Sequence, residues 1–263
     1  MNATGTIIAL GTIVRREVVR ILRIWSQTLL PPAITMTLYF IIFGQLVGSR
    51  IGTMSHTADG TPISYIEFIA PGLVMMSVVQ NSYGNITSSF FGAKFQRFVE
   101  EMLVSPMPSW TILTGYVAGA VLRGFMVGVI VLGISLFFTK IHLYHPFVTL
   151  STFVLAATIF GLLGFINAIF ARKFDDIAII PTFILTPLTY LGGVFYNVAQ
   201  LPSPWKEISH LNPILYMVGA FRYGLLGVNE INLAWAYAVM LIFVVVLGAF
   251  CLTLLKRGVG LRS

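Results

Sequence analysis

Apolar residues run along this chain in six long blocks, separated by short polar or charged stretches. The blocks cover residues 29–48, 68–91, 109–138, 147–170, 177–198 and 233–255. A helix of about 20 apolar residues spans roughly 30 Å of hydrocarbon, so each block predicts a membrane-crossing helix. Pro31 and Pro32 suit a first helical turn. Pro181 and Pro187 lie inside the fifth block, and Arg123 interrupts the third. Three other stretches carry a different pattern. In residues 7–27, Leu10, Val14, Val18, Ile21 and Trp25 share one helical face, and Arg16, Arg20, Arg23 and Gln27 share the opposite one. A basic helix with an apolar face and a Trp reads as lying in the headgroup plane.

The second such stretch is Gly92–Pro108, between the second and third blocks. Phe95, Phe98, Val99 and Met102 fall at i, i+3, i+4 and i+7, the spacing of one helical face. Lys94, Arg97, Glu100 and Glu101 take the other side, where Arg97 can pair with Glu101 one turn on. Pro106 and Pro108 stop the helix. Such an element is either a handle for a soluble partner or a loop lying on headgroups. The third stretch, Ala199–Asn232, is too long for a plain loop and is broken by Pro202, Pro204 and Pro213. It predicts two short helices that dip into the outer leaflet and return, a geometry tolerated only where protein or a water-filled cavity covers it.

Composition supports the membrane reading. The chain is 57% hydrophobic and 10% charged, against about 25% charged in soluble domains. The net charge of +7 does not point to nucleic acid, because the basic residues flank apolar blocks. With six spans, one side holds Arg15, Arg16, Arg20, Arg23, Lys94, Arg97, Arg172, Lys173, Lys256, Arg257 and Arg262, and the other Arg50, Lys140, Lys206 and Arg222. The positive-inside rule places both termini and Gly92–Pro108 in the cytoplasm. No cleavable secretory signal is expected, since the first apolar block begins only at Leu29 and no small-residue site follows. The lone Cys251 excludes an intramolecular disulfide.

Several chemistries are missing. The five lysines follow Ala93, Thr139, Arg172, Trp205 and Leu255, never a glycine, so there is no P-loop. His56, His142, His145 and His210 have no metal-ligand spacing, and no metal site is expected. No G-x-S-x-G is present. Within the membrane, Ser77, Asn81, Asn85 and Ser88 share a face of the second span. That face either lines a path or bonds neighbouring helices. Arg123 lies near the middle of the third span, where a charge is a functional candidate; Asn81, Asn85 and Asn167 are candidate partners, and a purely structural arginine is the alternative. Gly115/Gly119 and Gly124/Gly128 permit close helix approach. A membrane enzyme acting on lipid would need paired acids, and the adjacent Asp175 and Asp176 do not share a helical face.

In order, R-I-W-S-Q-T-L-L-P-P-A-I-T-M-T-L-Y-F (Arg23–Phe40), F-I-A-P-G-L (Phe68–Leu73), E-E-M-L-V-S-P-M-P (Glu100–Pro108), F-D-D-I (Phe174–Ile177), P-L-T-Y-L-G-G-V-F-Y (Pro187–Tyr196) and L-N-P-I-L-Y followed by F-R-Y-G (Leu211–Gly224) resemble the membrane-spanning permease subunits of ABC-2-type exporters over essentially the whole chain. The resemblance implies an all-α polytopic protein of the bacterial inner membrane, a single permease domain over 1–263. It implies a non-enzymatic half-transporter: two copies of this chain with two copies of a cytoplasmic ATPase, which holds the ATP and Mg. Lys94, Phe95, Arg97, Phe98, Glu100, Glu101 and Met102 would then belong to the coupling helix, residues 7–27 to an interfacial helix, and Ala199–Asn232 to re-entrant outer helices with Leu211, Asn212, Pro213 and Arg222 in the family signature. Ser77, Asn81, Asn85 and Arg123 are the path candidates; Trp205, Leu211 and Tyr216 would pack at the dimer axis. Family members move drugs, glycolipids and polysaccharides. Only Tyr83 lies near the polar face of the second span, where glycan permeases carry rows of aromatics, so a small amphipathic or lipid-like substrate is expected, with a glycolipid or polysaccharide as the alternative.

Overall fold

The computed structural model describes residues 3–56, 60–141 and 143–260; His142 and Arg262 of the residues named above lie outside them. The chain is helical almost throughout. Its helices are α1 (Ala3–Arg23), α2 (Trp25–Ile51), α3 (Tyr65–Phe95), α4 (Phe98–Val104), α5 (Ser109–Phe138), α6 (Pro146–Phe170), α7 (Asp176–Leu191), α8 (Trp205–His210), α9 (Pro213–Leu226) and α10 (Leu233–Arg257). The architecture is all-α, as expected, with one small addition. A small antiparallel hairpin, β1 (Thr53–His56) with β2 (Pro62–Ser64), occupies the polar loop after α2.

Among the described residues, α2, α5, α6 and α10 are long and apolar enough to cross a bilayer. The helix α3 is longer still, 31 residues, or about 46 Å at 1.5 Å per residue. It starts on a capping box, with Ser64 Oγ accepting from the Glu67 N–H and Glu67 returning a bond to the Ser64 N–H. Most of α3 is buried by the other helices, so it is the axis of the bundle. One apolar core surrounds its first half, with Phe68, Val78, Phe160, Met217 and Met240. A second surrounds its last turns, with Ile86, Phe90, Tyr116, Phe165 and Leu254.

The fifth apolar block is helical over less of its length than the pattern predicts. The helix α7 ends at Leu191, and the chain turns through Gly192 and Gly193, the latter at φ 70°. Within α7, Pro181–Leu185 forms a π segment, because Pro181 has no N–H to donate. Thr186 Oγ donates to the Pro181 carbonyl at 2.9 Å. The outer stretch holds two short helices, as expected. Asn212 caps α9 by accepting from the Ile214 N–H at 3.0 Å, Pro213 fills the first helical position, and the helix ends at Gly227.

Candidate functional site

Three regions carry polar or exposed chemistry: the end of α3 with α4, a polar junction halfway along α3, and the outer end around α8 and α9.

The Gly92–Pro108 segment is not one helix. The helix α3 continues to Phe95, the chain bends at Gln96 and Arg97, and α4 begins at Phe98. Arg97 sits at φ 64°, a left-handed conformation rare for a residue with a side chain. Phe95 and Met102 therefore do not share a helical face. The expected Arg97–Glu101 pair is also not among the two ion pairs that form between described residues. Val99 is buried, and Met102 and Leu103 pack on the second core, which fixes α4 in place. Glu100 and Glu101 occupy the first turn of α4, the favourable end of the helix dipole. Lys94 turns inward: its ammonium donates to the carbonyls of Ile169 and, at 2.9 Å, Ala171, closing the C-terminal end of α6.

Two aromatic rings remain outside this anchor. Phe95 is 64% exposed and Phe98 43% exposed. Phe95 also meets a residue the apolar pattern did not single out, Phe174 in the turn between α6 and α7, with ring centroids 5.1 Å apart. Phe91 completes the cluster, edge-on to Phe174 at 5.0 Å. In the same turn, the main-chain N–H groups of Arg172 and Lys173 donate to Asp176 at 2.8 and 3.0 Å and hold its carboxyl below the usual range. Beside the cluster lies a cavity of about 630 Å³ lined by Phe91, Phe95, Arg97, Phe170 and Arg172.

The polar junction brings together residues that sequence reasoning placed separately. Arg123 donates to Asn81 Oδ1 at 3.1 Å. One turn further on, Arg20 of α1 donates to Asn85 Oδ1 at 2.7 Å and to Glu17 Oε2 at 2.8 Å. Asn85 Nδ2 donates to Glu17 Oε2 at 3.1 Å, and Ser89 Oγ donates to Glu17 Oε1. The Ser77 hydroxyl donates back to the Leu73 carbonyl of its own helix, and the Ser77 carbonyl accepts from Asn81 Nδ2 at 2.9 Å. Ser77, Asn81 and Asn85 are buried between helices of the chain, and Ser88 is exposed.

Glu17, the fully buried hub of this junction, is not among the residues the sequence pattern singles out. A signal was present. Glu17 falls between Ile13 and Ile21 at i+4 spacing, a carboxylate inside the apolar stripe of α1. Its partner surface is glycine. A Cβ on Gly115 would come within 2.6 Å of Ile13, and one on Gly119 within 2.8 Å of Glu17. This glycine pair thus seats α1 directly on α5, and the helix expected to lie in the headgroup plane is bonded into the bundle.

At the other end of α3, Arg222 of α9 is buried. Its Nε donates to the Phe68 carbonyl at 3.2 Å, Nη2 to the Gly193 carbonyl at 2.8 Å, and Nη1 to Glu230 at 2.6 Å. Its guanidinium also stacks over the Phe68 ring at 3.8 Å. Asn212 donates to the Leu188 carbonyl at 2.6 Å, and Tyr216 to the His210 carbonyl at 2.8 Å. Trp205 and Leu211 are exposed, Leu211 by 85%.

Comparison with known proteins gives this arrangement a family. A family model described as ABC-2 type transporter matches residues 8–226. The chain is 53% identical over 256 residues to the inner membrane transport permease YadH of Escherichia coli K12, covering 97% of this chain and 98% of that protein. It is 25% identical over 217 residues to nodulation protein J of Rhizobium leguminosarum bv. viciae, covering 82% of each. Nodulation protein J of Sinorhizobium fredii is 26% identical over 219 residues. The chain belongs to the ABC-2 type transporter family.

Proposed function

We propose that this chain is the transmembrane subunit of an ATP-driven exporter that moves an amphipathic or lipid-like molecule across the bacterial inner membrane. The family makes it a transport permease subunit without enzymatic activity of its own, and implies an ATPase partner. In the proposed assembly, two copies of the chain work with two copies of the ATPase, and ATP and Mg stay on the ATPase. Six crossings follow if α3 and α7 span alongside α2, α5, α6 and α10, with both termini in the cytoplasm by the positive-inside rule.

The observation that carries this reading is the end of α3. A short helix fixed by Val99 and Met102 leaves Phe95, Phe98 and Phe174 as an exposed aromatic surface at the basic, cytoplasmic end. Exposed aromatics on a rigid support are what a docking partner buries. The path is proposed to run along the open edge of α3, where Gln80, Gly84, Ser88 and Gly92 are less covered than their neighbours. Ser77, Asn81, Asn85 and Arg123 border that edge. Trp205, Leu211 and Tyr216 are proposed to close the outer end against the second copy. The test is retention of the ATPase by the full-length chain when the aromatic surface is truncated; normal retention and normal coupling would remove the docking assignment.

A further inference from the structure

The polar junction holds more positive charge than it neutralises. Arg20 and Arg123 reach α3 on neighbouring turns, through Asn85 and Asn81. Among the described residues Glu17 is the carboxylate bonded there, and its ion pair is with Arg20. Arg123 takes part in neither ion pair formed among the described residues. Of the other described acids, Glu230 pairs with Arg222, and Asp176 accepts from the Arg172 and Lys173 N–H groups. Glu67 caps the start of α3, about 21 Å from Asn81 along the helix axis. Glu100 and Glu101 lie in the first turn of α4, after α3 has ended at Phe95. Arg123 is the fifteenth residue of the 30 in α5, so this surplus charge sits at mid-span, where a charge needs a partner.

Two further observations point to a ligand. The Nε atoms of both Arg20 and Arg123 are buried and make no hydrogen bond among the described residues. A buried donor without an acceptor is costly. Immediately beside them, α3 is open. Gln80 and Gly84 are partly exposed and Ser88 exposed, whereas Asn81, Ser82, Asn85 and Ile86 are covered. A Cβ built on Gly84 or Gly92 would meet nothing within 4 Å. A guanidinium with free donors, next to an open edge of small polar residues, is suited to a planar or tetrahedral anion.

We propose that Arg123, with Arg20, binds the anionic phosphate or carboxylate head of an amphiphile at the open edge of α3. This names the substrate class of the exporter and rests on the exporter reading above. Glu17 competes with that anion for Arg20 and lowers its affinity.

The test begins with the full-length chain alone, in maltoside micelles, without ATPase. The probes are phosphatidylglycerol and phosphatidylcholine with identical fluorescent tails. One added charge-assisted contact predicts roughly tenfold tighter binding of the anionic probe. Arg123→Gln should bring the two probes to within about twofold of each other, and Arg123→Lys should keep part of the preference. Glu17→Gln should act in the opposite direction, tightening the anionic probe several-fold, roughly one removed charge contact. A purely structural network gives no headgroup preference in the unaltered chain, and equal binding of the two probes overturns the proposal. So does an Arg123→Gln chain that keeps the preference. If that variant does not fold, Glu17→Gln decides: anionic affinity that stays level or falls overturns the proposal.

The same probes in proteoliposomes with the ATPase separate the two sources of the anion. ATP-driven movement of phosphatidylglycerol faster than phosphatidylcholine supports the site and marks the anion as cargo. Tight phosphatidylglycerol binding without ATP-driven movement supports the site but makes its occupant a resident bilayer lipid. Equal ATP-driven movement of both probes keeps the exporter and overturns the anion site.

Discussion

Truncating Phe95 to alanine should weaken the hold on the ATPase more than truncating Phe98. Full burial of a phenylalanine side chain stabilises by about 1.5–3 kcal/mol. Phe95 keeps 64% of its surface free, so about 1–2 kcal/mol remains to be gained on docking. That is roughly a five- to thirtyfold change in affinity at each contact. Phe98, 43% exposed, has about 0.6–1.3 kcal/mol left, roughly three- to ninefold. Judged by its helical spacing alone, Phe98 would carry a full side chain of burial; the part already buried in the chain reduces it. The assay is pull-down of the ATPase by tagged full-length chain, with transport measured per ATP hydrolysed. Both variants should lower retention and the transport-to-hydrolysis ratio, Phe95→Ala further than Phe98→Ala. Glu101→Gln should cost about 1 kcal/mol or less and respond to salt. A helix lying only on lipid predicts unchanged ATPase retention. Normal retention and a normal ratio in Phe95→Ala would refute the docking argument.

Three other outcomes follow from the same geometry. Arg222→Ala leaves Glu230 and the Phe68 and Gly193 carbonyls without their buried donor, which should cost about 3–5 kcal/mol and appear as loss of monodisperse protein in detergent with a lowered Tm. Gly119→Leu forces α1 away from α5 at Glu17; about 1–3 kcal/mol of overpacking should raise proteolytic cleavage within residues 3–23, whereas Gly11→Leu, with nothing within 4 Å of its Cβ, should not. Cysteine at Ser105 should react only with reagents that reach the cytoplasm and cysteine at Thr61 only from outside; labelling of both from one side would defeat the proposed topology.

The helices were legible wherever burial followed composition. The boundaries of α5, α6 and α10 fall within two residues of the apolar blocks that announce them. The fifth block was misread at its far end because apolarity does not distinguish helix from turn: Val194 is fully buried beyond Gly193 without being helical. Periodicity also joined Phe95 to Met102 across a bend. No residue type marks that bend, since the left-handed position is held by Arg97 and not by a glycine.

The polar junction shows a different limit. Asn81, Asn85 and Arg123 were visible as polar positions in apolar blocks, and the Arg123–Asn81 bond joins two residues that spacing had singled out. What spacing could not show is which way the face turns. Seen on its own helix, the Ser77–Asn81–Asn85 face suits a path or a packing seam equally well. Only the arrival of α1, brought in by Gly115 and Gly119, decides that Asn85 faces a carboxylate. Glu17 then explains why α1 is amphipathic in an unusual way. Its apolar stripe is interrupted by a carboxylate that pairs with Arg20 inside the bundle. The same helix carries Arg20, so α1 supplies both charges of its own ion pair, and among the described residues Arg123 of α5 is left without a carboxylate. A helix that served only as a surface anchor would gain from an apolar residue at position 17, because burying a carboxylate is costly. The acid is accounted for when α1 has to be held at one register against α3, with its charge turned toward the arginines beside the open edge.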